Sequence, residues 1–171
     1  MKVLFLDIDS VLNCSRPAED LYSDGPGAAA GPFVEPRVPL CRANVRELRR
    51  ILEAVPGLTV VWSTDWRLYD DPEYGEFLNP RQWLEAQDWM KDRVVGKTPK
   101  KMSSTRYEEI RMWLSCEGRK AGVGEFAILD DYCSAEMCRY FGGRFFRCGH
   151  EKGLTPEIAD GVIRLFREGG E

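Results

Sequence analysis

The stretch Lys2–Asn13, which reads KVLFLDIDSVLN, decides the fold that we predict for this chain. It opens with an apolar run of strand length, and two carboxylates follow at the end of that run. Asp7 and Asp9 are two residues apart on an extended chain, so their side chains should project to the same side. Two such charges repel each other unless a positive group lies between them, and a hard divalent cation is the obvious candidate. The alternative is a strand that simply ends in solvated Asp residues before a turn.

The composition is that of one globular domain covering residues 1–171. Of the 171 residues, 43% are hydrophobic, which is enough to bury a sizeable core. The formal net charge of −4 argues against a protein whose main role is to wrap nucleic acid non-specifically, because that role needs a basic excess. The apolar run before the first Asp is too short for a signal peptide or a membrane span, so we expect a cytoplasmic protein with reduced cysteines.

Two segments interrupt the regular pattern of helices and strands. Residues 14–39 are rich in Gly and Pro, which predicts a long loop or flap that leaves directly from the carboxylate pair. Residues 68–100 predict a small, partly helical insert, with a helix over Arg81–Lys91 and a short strand at Val94-Val95. The side chains of this helix that should face inward are Trp83, Ala86 and Met90.

Hydrophobic periodicity and capping residues predict the other elements. They are a helix over Cys41–Val55, a strand over Leu58–Trp62, a helix after Thr105, a strand over Glu125–Asp131, a short helix over Ser134–Tyr140, a strand over Arg144–Arg147 and a final helix after Thr155. Thr105 and Glu108 resemble a capping box at the start of their helix.

This alternation predicts an α/β fold with a Rossmann-like, mainly parallel sheet covered by helices on both faces. Ligands of such sheets bind at the carboxyl ends of the strands. The polar side chains that follow predicted strands are Asp7, Asp9, Ser63, Thr64, Asp130 and Asp131. We expect them to surround one pocket, because three such strand ends are much harder to explain by chance than one.

Four carboxylates at one edge favour phosphoryl chemistry. They supply oxygen ligands of the kind that Mg²⁺ takes together with substrate phosphate. A carboxylate can also be a nucleophile, forming an aspartyl-phosphate that water later hydrolyses. A metal ion holds the anionic phosphate beside this nucleophile and offsets the charge that develops in the transition state.

Four motifs, in their order along the chain, resemble those of the haloacid dehalogenase (HAD) superfamily of phosphotransferases. They are DIDSVL at residues 7–12, Ser63 after an apolar strand, a basic residue before a helix, and Leu129-Asp130-Asp131. The further segments STDWR at 63–67, RYEEIRMWL at 106–114 and GLT at 153–155 look like the small HAD domain associated with Swiss Army Knife RNA repair proteins. The resemblance spans nearly the whole chain and implies a magnesium-dependent phosphatase with a three-layer α/β/α fold.

Carried over residue by residue, the resemblance implies that Asp7 is the nucleophile and Asp9 the general acid and base. Ser63 would hydrogen-bond the transferred phosphoryl group. Asp130 would bind magnesium directly, and Asp131 would bind it directly or through water. With the backbone carbonyl of Asp9, the implied metal ligands are Asp7, Asp9, Asp130 and Asp131.

The basic residue of the third motif has three candidates. Arg106 is the first choice because it begins a helix, where backbone N–H groups also favour an anion, and Lys101 and Lys100 are the alternatives. The residues expected to contact substrate are Ser63, Thr64, Arg67 and Lys101. For Arg67 a structural ion pair is an equal alternative, since guanidinium groups serve both purposes. The rings of Trp62 and Trp66 are expected in the core or the pocket wall rather than as base-stacking platforms.

Three further features have simple structural interpretations. Ser10 stands where the family often has Gly, and serine fits that turn if its φ is negative. His150, the only histidine, is expected to be a bystander because nothing in the sequence orients it as a base. A zinc site can be drawn from Cys133, Cys138, Cys148 and His150, but its spacings are looser than those of known zinc sites.

Within the superfamily, substrate choice commonly follows from cap insertions over the active site. Here only residues 14–39 and 68–100 are available for that purpose, so we expect no large cap domain. An open pocket admits a phosphate carried on a large molecule, so the predicted substrate is a terminal phosphate of RNA or DNA. The resemblance to RNA repair proteins also implies association with other RNA-processing enzymes.

Two alternatives to nucleic acid end processing remain open. The first is a phosphatase of a small metabolite or nucleotide, because an acidic stretch disfavours a long polyanion across the insert. That stretch comprises Asp70, Asp71, Glu73 and Glu76. The second is a non-catalytic interaction module, although such a module has no need of both Asp7 and Asp9.

Overall fold

The structure is a computed structural model that describes residues 1–15, 40–68 and 80–169. Almost all of the predicted flap at 14–39 and residues 69–79 of the predicted insert lie outside these ranges. Among the helices in the described ranges, none is both long and apolar enough to cross a membrane.

A five-stranded sheet organises the described residues, and every paired strand in it runs parallel to its neighbours. In chain order the elements are β1 (Lys2–Leu6), α1 (Arg42–Ala54), β2 (Leu58–Trp62), α2 (Pro80–Glu85), β3 (Val94–Lys97), α3 (Arg106–Trp113), β4 (Glu125–Asp130), α4 (Ala135–Phe141), β5 (Phe145–Arg147) and α5 (Pro156–Glu168). The strand order is β3-β2-β1-β4-β5, so β1 lies at the centre. The predicted Rossmann-like α/β fold is confirmed, and the described residues contain no large cap domain.

Helices cover both faces of the sheet because β1 is apolar on both sides. Leu4 and Leu6 pack into a core cluster that includes the buried side chains of α1 and α5. Val3 and Phe5 point into a second cluster, which contains buried side chains of α3 and α4. A strand buried on both faces reads as a continuous apolar run, which is the pattern that the sequence shows. The two clusters therefore establish the three layers.

The helix predicted over Arg81–Lys91 is shorter in the structure, where α2 ends at Glu85. The side-chain amide of Gln87 donates to the carbonyl of Trp83 at 3.0 Å, while the Gln87 backbone N–H bonds Leu84 instead. A side chain thus takes the acceptor that a continuing α-helix would have used, and the chain proceeds in turns to β3. Trp83 and Met90 are buried as predicted, but Ala86 is exposed.

The predicted capping box at the start of α3 is confirmed. Thr105 Oγ1 accepts from the backbone N–H of Glu108, and the Glu108 carboxylate accepts from the backbone N–H of Thr105 at 2.8 Å. These two bonds satisfy donors that a helix start leaves open, and they fix the position of Arg106. A short π-helical segment, Leu114–Gly118, extends the helix beyond Trp113.

Candidate active site at the carboxyl edge of the sheet

Strand register brings three chain segments to one level of the sheet. Leu6 pairs with Trp62 on one side and with Leu129 on the other, so the residues that follow these strands lie next to one another. The backbone N–H of Asp7 donates to the carbonyl of Leu129 at 3.0 Å, and that of Ser63 donates to the carbonyl of Leu6 at 2.9 Å. The structure therefore brings the three predicted strand ends together.

A group of three carboxylates lies at this edge. One oxygen from each of Asp7, Asp130 and Asp131 lies within 4.8 Å of the others. Asp7 and Asp130 are buried and Asp131 is half-buried. Asp7 Oδ1 accepts from the backbone N–H of Ile8 at 2.7 Å, and Asp130 Oδ1 accepts from that of Tyr132 at 2.9 Å. Backbone amides thus fix the orientation of both buried carboxylates.

Arg106 is the basic residue that reaches this group. Its Nε lies 3.1 Å from Asp130 Oδ2, and its Nη2 lies 3.4 Å from Asp7 Oδ2. Glu109, one turn further along α3, approaches its Nη1 at 3.5 Å. Of the three candidates for the third-motif base, Arg106 is the one that contacts Asp7 and Asp130.

Burial perturbs the ionisation of both buried carboxyl groups. It raises the pKa of Asp7 to about 6, although the positive charge of Arg106 acts in the opposite direction. Burial also raises the pKa of Asp130 to about 8, and repulsion from Asp7 adds to this effect. Both carboxylates would be stabilised by a further positive charge between them.

These residues fit a hard divalent cation such as Mg²⁺. The donor set consists of carboxylate oxygens, which Mg²⁺ prefers over nitrogen or sulfur. Asp130 Oδ2 is buried without a well-aligned hydrogen bond, and is therefore available as a ligand. Asp7, Asp130 and Asp131 would hold the ion. The ligand predicted from Asp9 is its backbone carbonyl, and the Asp9 carboxylate lies outside this group of three.

Two hydroxyl groups at the end of β2 lie beside the aspartates. The Thr64 hydroxyl hydrogen-bonds Asp7, which counteracts part of the effect of burial on the pKa of Asp7. Ser63 is fully buried, and its Oγ has no hydrogen-bond partner in the described part of the chain. A buried hydroxyl without a partner is uncommon, and it is free to bond an oxygen of a bound substrate.

Asp9 is held by two donors on the rim of the pocket. The indole Nε1 of Trp66 donates to Asp9 Oδ1 at 3.1 Å, and Asn13 Nδ2 donates to the same oxygen at 2.8 Å. Asn13 also accepts from the backbone N–H of Ser10 at 2.7 Å. Sequence reasoning assigned no role to Asn13, although its position four residues after Asp9 in a turn was a usable signal. Apart from its bond to Asp9, the partly buried ring of Trp66 packs against the core cluster that contains Leu4 and Leu6.

Ser10 adopts the left-handed conformation, with φ of 57°, so the negative φ under which serine would fit this turn without strain is not observed. The position needs a sharp turn directly after Asp9, which is why glycine suits it. Local bonds hold the serine there, because its Oγ lies 3.0 Å from Nδ1 of His150. His150 Nε2 lies 3.1 Å from Ser15 Oγ, so the imidazole links two points of the loop after β1. His150 is therefore a structural contact of this loop.

Arg67 lies in a buried ion pair. Its side chain is 1% exposed, and its Nη2 donates to Glu109 Oε2 at 2.6 Å. Its remaining donors reach the carbonyls of Thr98 and Thr64. Each of the three guanidinium nitrogens therefore has an acceptor within the protein. This geometry favours a structural ion pair for Arg67 over a direct contact with substrate.

A pocket of about 430 Å³ opens above the aspartates. It is lined by Asp7, Asp9, Asp65, Lys100, Ser104, Thr105, Arg106, Glu109, Asp131 and Tyr132. Lys100 forms ion pairs with Asp65 at 3.4 Å and with Glu109 at 3.3 Å. The expected substrate residue Lys101 lines a neighbouring pocket with Met102 and Arg111 instead. Lys100 is thus the lysine that faces the aspartates.

The alternative zinc site does not assemble among the described residues. Asp7, Asp130 and Asp131 are the one group of three or more potential ligands found there. Cys148 is buried, whereas Cys133, Cys138 and His150 are exposed.

Comparison with known proteins identifies the family. A model of the HAD domain in Swiss Army Knife RNA repair proteins matches residues 3–159. Neither the curated proteins nor the solved structures gave a significant match. The matched range contains β1 except its first residue, all of β2 and β4, and every residue that lines the pocket above the aspartates. The chain therefore belongs to the family of HAD domains found in Swiss Army Knife RNA repair proteins.

Proposed function

We propose that this protein is a magnesium-dependent phosphatase that removes a terminal phosphate from a nucleic acid through an aspartyl-phosphate. The observation that carries the proposal is the position of Asp7. Its carboxylate lies 3.4 Å from Arg106 and belongs to the group of three carboxylates completed by Asp130 and Asp131. A nucleophile, a positive charge and an ion site within a few ångströms are the parts that phosphoryl transfer requires.

In the first step an oxygen of Asp7 attacks the phosphorus atom, and the bond to the leaving oxygen breaks. Asp9 gives its proton to that oxygen. Trp66 and Asn13 both donate to Asp9 Oδ1, which leaves Oδ2 to carry the proton. Arg106 and the Ser63 hydroxyl bond the oxygens of the transferred group. When bound, Mg²⁺ neutralises charge on the phosphate and on Asp7.

In the second step water attacks the phosphorus of the aspartyl-phosphate. Asp9 Oδ2, now deprotonated, takes the proton of the water, and the Asp7–phosphorus bond breaks to release inorganic phosphate. The same group therefore acts first as an acid and then as a base. Both steps leave Asp7 and Asp9 in their starting protonation states.

The open pocket supports a large substrate. The described residues include no cap domain over the aspartates, and Tyr132 lies on the rim of the pocket with 55% of its surface exposed. An exposed aromatic ring is a suitable stacking partner for a terminal base. The family match to RNA repair proteins supports the same substrate class.

A small phosphate ester is the second candidate, and the surroundings of Lys100 favour it. Asp65 and Glu109 both pair with this lysine, so the charge of the one lysine that lines the described pocket is already neutralised. A polyanion gains little from such a rim.

A substrate panel distinguishes the two candidates. Oligonucleotides with a 3′- or 5′-phosphate are compared with nucleotides and sugar phosphates at equal concentration, with Mg²⁺ and with EDTA. We expect Mg²⁺-dependent phosphate release that is fastest with the oligonucleotides and absent in Asp7→Asn. If only the small esters were hydrolysed, the proposed substrate would be a metabolite and not a nucleic acid end.

A further inference from the structure

Two cysteines lie in sulfur-to-sulfur contact beside the active-site loop. Cys133 Sγ and Cys138 Sγ are 2.8 Å apart, and both residues are exposed. Cys133 follows Asp131 and Tyr132, and Cys138 lies on the first turns of α4. The proposed phosphatase mechanism uses neither thiol.

The local backbone holds this contact in place. Ser134, between the two cysteines, is the N-cap of α4, and its side chain accepts from the backbone N–H of Met137 at 3.1 Å. The backbone N–H of Cys138 donates to the carbonyl of Ser134 at 3.2 Å. These bonds fix the turn that places Cys133 over the helix, so the contact does not depend on a long loop.

A disulfide has a sulfur-to-sulfur bond of about 2.05 Å, so the two sulfurs need to approach by less than about 1 Å to form one. The close contact and the exposure distinguish this pair from Cys41, Cys116 and Cys148. Cys41 and Cys148 are buried, and the exposed Cys116 has no sulfur contact in the described part of the chain. Exposure also gives Cys133 and Cys138 access to oxidants and reductants in solution.

We propose that Cys133 and Cys138 form a reversible intramolecular disulfide by exchange with a low-molecular-weight disulfide such as oxidised glutathione. The Cys133 sulfur attacks one sulfur of the oxidant, which forms a mixed disulfide and releases one thiol. The Cys138 sulfur then attacks the Cys133 sulfur, which closes the ring and releases the second thiol. The two protein thiols are oxidised, the small disulfide is reduced, and their two protons go to the two released thiols.

The disulfide joins the loop that carries Asp131 and Tyr132 to the start of α4. The loop leaves β4 at Asp130, so the link adds a covalent restraint directly after the aspartates of the pocket. The redox state of the two cysteines thereby controls the mobility of the loop on the pocket rim. This inference concerns the thiols and does not depend on the proposed phosphatase activity.

Both cysteines lie in one tryptic peptide, residues 121–139, which makes the test direct. The reduced full-length protein is incubated with oxidised glutathione, quenched with acid, alkylated and analysed by mass spectrometry. We expect this peptide to lose two hydrogen atoms and to escape alkylation, and expect dithiothreitol to reverse the change. Amide hydrogen exchange over residues 131–134 should slow in the oxidised protein.

Matched variants separate the pair from a general effect of oxidation. Cys133→Ser and Cys138→Ser should each abolish the intramolecular link, whereas Cys116→Ser, which removes another exposed thiol, should leave it unchanged. The proposal is overturned if the peptide is alkylated twice under all glutathione ratios, or if it carries only glutathione adducts without ring closure. Unchanged hydrogen exchange in the oxidised protein would overturn the restraint on the loop.

Discussion

Arg106 Nε lies 3.1 Å from Asp130 Oδ2, so the basic residue of the pocket contacts a proposed metal ligand as well as the proposed nucleophile. Replacing Arg106 with alanine removes the positive charge that, in the proposed mechanism, faces the transferred phosphoryl group. We expect phosphate release to fall by about 100- to 1,000-fold, the range seen when one charge-stabilising donor is removed. Lys101→Ala, which alters the neighbouring pocket, should stay within about threefold of wild type on the same scale. A larger loss in Lys101→Ala than in Arg106→Ala would reassign the third-motif base.

Asp7→Asn should abolish turnover while the fold is retained, because an amide of nearly the same shape is not a nucleophile. Phosphate release and covalent labelling by radioactive substrate measure this directly. Asp88→Asn, at an exposed site after α2, provides the matched control and should show full activity. Unchanged turnover in Asp7→Asn would mean that the nucleophile is misassigned.

Ser63→Ala should separate activity from stability. The Ser63 hydroxyl is buried without a partner, so its removal leaves no bond broken in the free protein. We expect the free energy of unfolding to be unchanged or to rise by up to about 1 kcal/mol. Turnover should drop by about 100-fold if the hydroxyl bonds the phosphoryl group. A loss of stability in denaturant melts, together with full activity in the phosphate-release assay, would refute this role.

Arg67→Met should destabilise the protein by about 3–5 kcal/mol, because it leaves the Glu109 carboxylate buried without its strongest partner. Urea denaturation measures the loss. Arg111→Met, on the exposed side of α3, should change stability by less than about 0.5 kcal/mol. If Arg67→Met were as stable as wild type but had a raised KM, Arg67 would contact substrate rather than support the fold.

Metal-free protein should lose stability as the pH rises from about 4 to about 8, the window given by the raised pKa values of Asp7 and Asp130. Between these limits the folded state binds more protons than the unfolded state, so deprotonation at higher pH favours unfolding. Mg²⁺ binds the deprotonated carboxylates, so its affinity and its stabilising effect should increase over the same window. Thermal melts at several pH values, with and without Mg²⁺, measure both trends. A metal-free melting temperature that rises towards pH 8 would contradict the assignment.

Sequence patterns predicted the strands well because β1, β2 and β4 are buried on both faces and need unbroken apolar runs. The same patterns placed Asp7, Ser63 and Asp130 at one edge, since parallel strands share a direction. The capping box of α3 was also readable, because it is local to Thr105 and Glu108.

Three features depend on contacts that no local pattern encodes. Helix α2 stops where the Gln87 amide competes for the carbonyl of Trp83. Arg67 is buried because Glu109, 42 positions later, lies opposite it. Ser10 tolerates a positive φ beside the distant His150, with which its hydroxyl bonds. Each is set by tertiary neighbours, so hydrophobic periodicity and turn propensity could not identify it.

The central position of β1 governs the order in which the pocket can be assembled during folding. Lys2 pairs with Leu58 on one edge and with Glu125 on the other, so the strand before Asp7 acquires its second neighbour only through a very distant part of the chain. Such long-range pairings form slowly, because the chain loses the entropy of closing a large loop before the new contacts stabilise it. A partly synthesised chain that ends before Glu125 contains Asp7, Ser63 and Arg106 but lacks Asp130 and Asp131. Metal binding at this edge should therefore report completed folding, and it should arise late and in a single step.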